Sequence, residues 1–319
     1  MNHRRAVPLE TVWVEVPEAA LEAYEAAFGA VCETVGFFLD ETTGRWRVEA
    51  VKPIGEAEAG LAGALALAEA ASGTAAGLQR QPTAVEGWLA HTRAVFPEQF
   101  IGTRFAVRGT HLEEVARPGR LTLTLDAGLA FGSGEHGSTR GCLRALEQVA
   151  RRRPRRILDL GTGSGILAMA AARLLRRRVL ATDIEPWSVR VARENAAANG
   201  LAGLVRVRRG DGWNDAAVRA GGPYDLVFAN ILARPLCAMA RDLALHLAPG
   251  GTAILAGLLH TQARMVLAAH HRCGLVLRGR VREGAWSTLL LRAPALTVSG
   301  VERIRPRNSG RTRGGCLPD

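Results

Sequence analysis

The residues with the clearest chemical potential form a glycine-rich loop, Asp159-Leu160-Gly161-Thr162-Gly163-Ser164-Gly165. The loop follows a short apolar run and precedes a stretch with the composition of a helix. Glycine lets the backbone approach a ligand closely and adopts positive φ without strain. In a parallel sheet, ligands bind at the carboxyl ends of the strands, which is where this loop falls. The pattern therefore predicts a cofactor-binding loop.

Two cofactors compete for this loop. The dinucleotide fingerprint requires G-x-G-x-x-G, and counted from Gly161 its third glycine position is occupied by Ile166. The G-x-G-x-G spacing fits a methyl-donor site better, so we predict S-adenosyl-L-methionine, bound at Gly161 and Gly163. A nicotinamide dinucleotide is the alternative. Asp183 closes the next predicted strand, where its carboxylate can accept hydrogen bonds from ribose hydroxyls.

Two more polar residues follow strand candidates of the same sheet. Asp211 is either a contact for the adenine amino group or an ordinary turn residue, and the sequence favours neither. Asn230 ends the apolar run 224–230, and its side-chain oxygen can accept a hydrogen bond. Methyl transfer to an amine requires an aligned, dehydrated, neutral nucleophile. Asn230 is therefore our candidate catalytic residue, with a strand-ending turn residue as the alternative.

A second glycine-rich segment, residues 125–139, precedes the first strand of this sheet. Its glycine content predicts a flexible loop that could cover the donor, leading into a helix capped by Ser138 or Thr139. His136 lies within this segment and is a candidate for the wall of the site.

Alternating strands and helices from about Leu121 predict an α/β fold with a mostly parallel sheet covered on both faces. Ahead of it, residues 1–75 predict a small α+β domain in the order β-α-β-β-α, followed by a connector at 76–120. The catalytic domain spans 121–293, and the Arg-rich tail 294–319 is predicted to be disordered. Strands are expected at 156–160, 179–183, 204–208, 224–229, 252–256, 275–281 and 286–291, and helices at 139–150, 165–175, 187–199, 235–247 and 261–271.

The net charge of +11 is compatible with a polyanionic partner such as ribosomal RNA. Lys52 is the only lysine, however, so the arginine excess also fits a coding bias. For the runs 151–156 and 176–178 we favour solvated loops over a phosphate-binding track. Scattered cysteines fit a reducing compartment and predict no metal site, and the absence of a long apolar run predicts no membrane partner. We therefore predict a cytoplasmic protein, and we expect it to be a monomer. His270, His271 and Cys273 are expected at the exposed end of a helix.

These residues resemble one family closely, the PrmA methyltransferases, which modify large-subunit ribosomal protein eleven. Its hallmark, L-D-x-G-x-A-F-G-[ST]-G-x-H-x-[ST]-T, is matched from Leu125 to Thr139. Further matches are 158–168, 183–186, 194–196, 199–200, 229–233 and 249–251. The resemblance covers residues 121–292, and over the N-terminal part it is architectural only. Ala127 and Gly137 stand where the family commonly has proline, which makes the loop less rigid.

The resemblance implies a Rossmann-like class I methyltransferase domain with a seven-stranded sheet, using S-adenosyl-L-methionine. It implies that Thr139, Gly161, Asp183 and Asn230 contact the cofactor. The substrates it implies are lysine side chains and the N-terminal amine of the ribosomal protein, gripped by the small domain. Methylation of RNA or another amine on the same fold is the alternative, because fold does not fix substrate. A catalytically silent ribosome-binding module is a third interpretation, which the intact donor loop disfavours.

Overall fold

The computed structural model describes residues 9–32, 34–40, 43–83, 98–113, 115, 117–125 and 137–295 of the 319-residue chain. The chain divides into two compact units. One is drawn from residues 1–97 and 109–113, and the other from residues 98–108 and 114–319. No helix within the described ranges is long and apolar enough to span a membrane.

The first unit is an antiparallel sheet with two helices, as the β-α-β-β-α order predicts. Side chains of its first strand alternate between buried and partly exposed, which is the period-two pattern of a sheet with one buried face. A fourth strand, which the sequence did not predict, pairs with the first. The sheet order is β2-β3-β1-β4. The elements are β1 (Leu9–Val16), α1 (Glu18–Gly29), β2 (Thr34–Asp40), β3 (Arg45–Pro53), α2 (Glu58–Ser72) and β4 (Gln79–Thr83).

The second unit holds a small three-stranded sheet and then the alternating strands and helices that the sequence predicts. The small sheet comprises β5 (Gln99–Ile101), β6 (Phe105–Gly109) and β7 (Leu121–Leu125). The alternating part begins with α3 (Gly137–Ala150), β8 (Ile157–Leu160), α4 (Ile166–Leu175), β9 (Val179–Asp183), α5 (Pro186–Ala198) and β10 (Val205–Arg209). It continues with a 3₁₀ turn (Gly212–Asn214), α6 (Ala216–Gly221), β11 (Tyr224–Asn230), α7 (Ala233–Ala238), α8 (Ala240–His246), β12 (Leu247–Leu259), α9 (Ala263–Arg272), β13 (Val276–Glu283) and β14 (Trp286–Arg292).

The large sheet has seven strands in the order β10-β9-β8-β11-β12-β14-β13. Strands β8 to β12 run parallel, and β14 is antiparallel to both of its neighbours. The chain adds β9 and β10 on one side of β8, then returns to place β11 on the other side. This reversal is a topological switch point, where open α/β sheets bind ligands at the carboxyl ends of their strands. The sheet confirms the predicted α/β fold and the predicted number of seven strands.

The core of this unit lies on the central strands. All four residues of β8 are buried, and Val227, Phe228, Leu255 and Leu289 are fully buried. A parallel strand covered by helices on both faces shows this continuous apolar run. The core therefore fixes the ends of β8 and β11, from which the candidate site residues project.

Three local predictions were wrong. Ser138 and Thr139, expected to cap α3, lie within its first turn, because the helix begins at Gly137. The helix expected at 235–247 is two short helices, α7 and α8, that meet at Met239. Met239 has φ −83° and ψ −1°, and neither glycine nor proline marks this break in the sequence.

His270, expected at an exposed helix end, is fully buried, with Nδ1 2.9 Å from the Val266 carbonyl oxygen. Burial lowers the pKa of His270, which favours the neutral ring. Within the predicted connector, the stretch 88–96 has the pattern of a helix, and it lies outside the described residues.

Candidate functional site

The glycine loop leaves β8 at the switch point and turns sharply. Gly161, Gly163 and Gly165 have φ values of +66°, +53° and +84°, which L side chains adopt only with strain. A Cβ atom placed on Gly161 would lie 2.4 Å from Cγ2 of Ile231, which follows β11. Glycine at position 161 is therefore required by both conformation and space.

A buried carboxylate beneath the loop holds its turn. Oδ2 of Asp159 accepts hydrogen bonds from the Thr162 hydroxyl at 2.6 Å and from the Ala168 amide at 3.1 Å. The pKa of Asp159 is raised to about 7, because burial and, to a smaller extent, the nearby Asp183 carboxylate raise it by more than the two hydrogen bonds lower it. Asp159 thus anchors both the loop and the first turn of α4.

Asp183 lies at the carboxyl end of β9, beside the loop. One carboxylate oxygen accepts from the Gly163 amide at 2.8 Å and the other from the Glu185 amide at 3.0 Å. Its side chain is almost wholly buried. An ionised carboxylate offers about four acceptor sites, so two backbone amides leave capacity for further donors such as hydroxyl groups.

Asn230 ends β11, the strand that pairs with β8. Its Nδ2 donates to Oγ1 of the buried Thr139, at 3.4 Å, in the first turn of α3. Its Oδ1 is buried without any hydrogen-bond partner among the described residues. An unsatisfied buried acceptor costs about 1–3 kcal/mol, so such groups in native proteins call for a ligand or water. The structure therefore brings Thr139 and Asn230 together and leaves one amide oxygen available.

Sequence reasoning missed a glycine that supports this end of β11. A Cβ atom on Gly257, in β12, would lie 2.4 Å from the carbonyl oxygen of Ile231, and Gly257 has φ +79°. Ile231 is thus held between the backbone of β12 and the glycine loop. The predicted strand ended at residue 256, one residue before Gly257. A glycine within the longer apolar run 252–259 is a signal of close backbone approach, and it could have identified this position.

A second unforeseen support comes from α5. The side chain of Asn195 is buried, and its Nδ2 donates to the Ser164 carbonyl oxygen of the loop at 2.9 Å. A polar residue on the buried face of a helix needs a specific partner, and here that partner is the cofactor loop.

Among the described residues, no remaining predicted site residue forms a hydrogen bond with the glycine loop or with Asn230. Asp211 is exposed at the start of the 3₁₀ turn after β10, and its Oδ2 accepts from Nδ2 of Asn214 at 2.9 Å. His136 and most of the 125–139 segment lie outside the described residues. Gly137 begins α3, and a Cβ atom there would lie 2.7 Å from the carbonyl oxygen of Glu283. Glycine at this position is therefore explained by a close approach to the β13–β14 turn.

The groups that meet at this site fit an adenosyl sulfonium better than they fit a metal ion. A glycine cradle, a carboxylate with free acceptor capacity and an unpartnered amide oxygen all meet at the carboxyl ends of β8, β9 and β11. Within the described ranges, no three His, Cys, Asp or Glu residues lie close enough to hold a metal ion.

Comparison with known proteins identifies the family. The family model described as "Ribosomal protein L11 methyltransferase (PrmA)" matches residues 33–294, which is most of the chain. The chain belongs to the PrmA family. This membership confirms the resemblance predicted from the sequence, and it extends the match into the first unit.

Named relatives and a solved structure agree with this PrmA assignment. The "Ribosomal protein L11 methyltransferase" of Bradyrhizobium diazoefficiens is 50% identical over 190 residues, covering 59% of this chain and 64% of the relative. The protein of the same name from Caulobacter sp. (strain K31) is 41% identical over 256 residues, covering 80% of this chain and 86% of the relative. The crystal structure of a ribosomal protein L11 methylase from Lactobacillus delbrueckii subsp. bulgaricus has a TM-score of 0.56 and 30% identity, covering 62% of this chain and 98% of that chain.

The aligned part of the chain spans 64% to 66% of the length of several curated relatives, including proteins from Bradyrhizobium and Rhizobium. It thus covers less than two thirds of these proteins.

Proposed function

We propose that this PrmA-family chain is an S-adenosyl-L-methionine-dependent methyltransferase that acts on lysine side chains and the N-terminal amine of ribosomal protein L11. The observation that carries the proposal is the buried, unpartnered Oδ1 of Asn230 beside the glycine loop. The names of the relatives support the substrate.

The bound donor would supply an electrophilic methyl group on a sulfonium sulfur. Gly161 and Gly163 would admit it close to the backbone, and Asp183 would accept from the ribose hydroxyls through its remaining lone pairs. Thr139 and Asn230 would border the same space. Asp211 is the proposed contact for the adenine amino group, supported by its position after β10.

The role proposed for Asn230 is to orient the substrate amine. Its Nδ2 already donates a hydrogen bond to Thr139, so the orientation of the amide plane is fixed, and Oδ1 has no partner among the described residues. Oδ1 can accept one N–H of a neutral amine, which directs the nitrogen lone pair away from the asparagine. A lysine ammonium has a pKa of about 10.4 and must lose its proton before it attacks. A neutral acceptor does not stabilise the ammonium form as a carboxylate would.

We also propose a substrate-binding domain, a further site residue, an oligomeric state, a cellular location and an RNA contact. Residues 1–75 are the proposed substrate-gripping domain, and His136 is a proposed catalytic residue of the site wall. We propose that the chain acts as a monomer in the cytoplasm, where ribosomal proteins are assembled, and that its basic surface contacts ribosomal RNA. The charge of +11 supports the last point.

A radiolabelled methyl-transfer assay tests the proposal. The chain and its Asn230→Ala variant are incubated with labelled donor and, in separate reactions, with large-subunit ribosomal proteins or protein-free ribosomal RNA. We expect label on L11 with the wild type and at least tenfold less with the variant. Label on RNA would support the alternative substrate class and overturn the proposed one. Donor binding without transfer to either would favour a silent ribosome-binding module.

A further inference from the structure

A cavity of about 960 Å³ lies at the amino-terminal ends of the parallel strands of the large sheet, opposite the cofactor loop. Three separate segments line it: the β5–β6 turn, the end of α3 with the loop that follows it, and the end of α4. All three belong to the second unit. Five arginines and one carboxylate line this cavity, which we call the arginine cavity; they are Arg104, Arg144, Arg151, Arg153, Arg177 and Glu147.

The carboxylates at this edge are engaged by backbone amides. Glu147 accepts from the amides of Thr103 and Arg104, at 3.2 Å and 2.8 Å. Asp225 accepts from the amides of Arg155 and Arg156, at 2.8 Å and 2.9 Å. These negative charges therefore hold the loops in place and do not pair with the guanidinium groups of the same segments.

Four guanidinium groups of the cavity are consequently unpaired. Within the described ranges, the side chains of Arg104, Arg151, Arg153 and Arg177 make no ion pair and no hydrogen bond, and all four residues are exposed. Only Arg144 is paired, with Glu283. Unpaired arginines around a concave surface have the geometry that binds phosphate, because each guanidinium can donate two parallel hydrogen bonds to it.

The backbone at Arg153 also favours a role for its side chain. Arg153 has a φ value of +52°, where an L residue costs roughly 1–2 kcal/mol and glycine costs little. The chain nevertheless carries arginine at this position.

Positive charge continues beyond the cavity along the same edge. Burial lowers the pKa of Arg292, and the neighbouring charges of Arg152 and Arg278 lower it further. Arg292 donates to the Gly250 carbonyl oxygen near the start of β12, which places this group at the amino-terminal edge of the sheet. The basic surface is therefore longer than a single anion requires.

We propose that the arginine cavity binds the phosphate backbone of a structured nucleic acid. A concave surface does not fit a flat lipid bilayer, and the extent of the charge fits several phosphates in a row. No aromatic side chain lines the cavity among the described residues, so the contact uses phosphates and not stacked bases. This inference rests on the proposed RNA contact for its natural ligand and gives that contact a location. It is the alternative to the solvated-loop interpretation of the runs 151–156 and 176–178.

The test is salt-dependent binding of a short labelled RNA duplex to the full chain, with the triple variant Arg151→Gln, Arg153→Gly and Arg177→Gln. We expect wild-type binding to weaken steeply with salt, because counterions are released from neutralised phosphates. The triple variant should bind roughly tenfold more weakly at low salt, and its salt slope should be smaller by about one for each phosphate that is no longer neutralised. A DNA duplex of the same length shows whether the backbone contact distinguishes the two sugars.

Arg176→Gly is the matched control. It is compared with the single variant Arg153→Gly. Arg176 has nearly the same positive φ as Arg153 and lies beside the cavity but outside its lining, so Arg176→Gly should weaken RNA binding much less. Both glycine variants relieve backbone strain, so neither should lower the melting temperature. Unchanged binding by the triple variant would overturn the proposal, as would wild-type binding to phosphatidylserine vesicles but not to RNA. Donor affinity, measured in the same samples, should be unchanged, which separates failure here from failure of the proposed methyl transfer.

Discussion

The side-chain nitrogen of Asn230 lies 3.4 Å from the hydroxyl oxygen of Thr139, although 91 positions separate the two residues in the sequence. Asn230 ends β11 and Thr139 lies in the first turn of α3, so the contact depends on the packing of that helix beside the switch point. The bond occupies the amide nitrogen and leaves the amide oxygen free. One residue thus sets the orientation of the other.

This relationship makes Thr139 a positioning residue whose hydroxyl can be tested. Thr139→Val removes the acceptor while keeping the shape, so the amide of Asn230 loses its fixed orientation, and we expect kcat for methyl transfer to fall about tenfold. Thr139→Ser retains the hydroxyl and should remain within about twofold of the wild type. Steady-state kinetics on L11 give the comparison. Equal rates for the valine and serine variants would show that the hydrogen bond does not position Asn230.

The glycine loop offers a prediction with a well-matched control. Gly161→Ala introduces a Cβ atom 2.4 Å from Ile231 at φ +66°, whereas Gly200→Ala has nearly the same φ, +67°, and nothing within 4 Å. Both variants carry a backbone cost of about 1 kcal/mol, but only Gly161→Ala must displace the loop. We expect calorimetry to show at least tenfold weaker donor binding for Gly161→Ala alone. Similar donor affinities for the two variants would remove the steric argument.

Asp183→Asn tests the proposed ribose contact. The substitution keeps the shape but removes the charge and one pair of acceptor sites, and a hydrogen bond to a charged group contributes about 1.5–3 kcal/mol. We expect the Kd for the donor to rise about tenfold or more. Asp225→Asn is the control, because Asp225 also accepts from two backbone amides but lies at the opposite edge of the sheet. A comparable loss of donor affinity in the control would assign the effect to general destabilisation.

The buried carboxylate of Asp159 predicts a pH dependence of stability. Its pKa in the folded protein, about 7, lies above the ordinary value near 4, so the folded state holds a proton that the unfolded state has lost. The contribution is fully present below about pH 4 and is lost as the pH rises to about 7, at up to about 1.4 kcal/mol per pH unit. Burial lowers the pKa of His270, so the contribution of His270 to stability rises with pH. The contribution of Asp159 is therefore measured as the difference in unfolding free energy between the wild type and a variant that retains His270.

Chemical denaturation of the wild type and of Asp159→Asn across this pH range measures that difference. We expect the free energy of unfolding of the wild type to decline relative to the variant between about pH 4 and pH 7. A constant difference across the range would mean that Asp159 does not retain its proton in the folded protein.

Much of the fold and part of the candidate site could be predicted from the sequence, because both depend on local patterns. The apolar run of β8 leads directly into Gly161, and Asp183 and Asn230 each end a strand. Parallel strands with short connections bring such ends to one edge. The family and the seven-stranded sheet follow from these motifs and are confirmed. The roles of the individual residues remain predictions.

Other features depend on contacts between distant segments, which no local pattern reveals. The break at Met239 has no glycine or proline to mark it, and Gly257 marks a close backbone approach without revealing that its neighbour is Ile231. The arginine cavity is formed by segments around positions 103, 150 and 175. Each segment alone reads as a polar loop, and their shared positive charge is apparent only when they are assembled.

Mass spectrometry of L11 tests whether this chain methylates amines and whether the reaction depends on Asn230. Purified L11 is incubated with donor and with either the wild type or Asn230→Ala, and the modified residues are mapped. We expect methyl groups on lysine side chains and the N-terminal amine with the wild type, and at least tenfold less modification with the variant. Unmodified L11 after incubation with a wild-type chain that binds the donor would overturn the proposed methyl transfer. Equal modification by the wild type and the variant would contradict the role of Asn230.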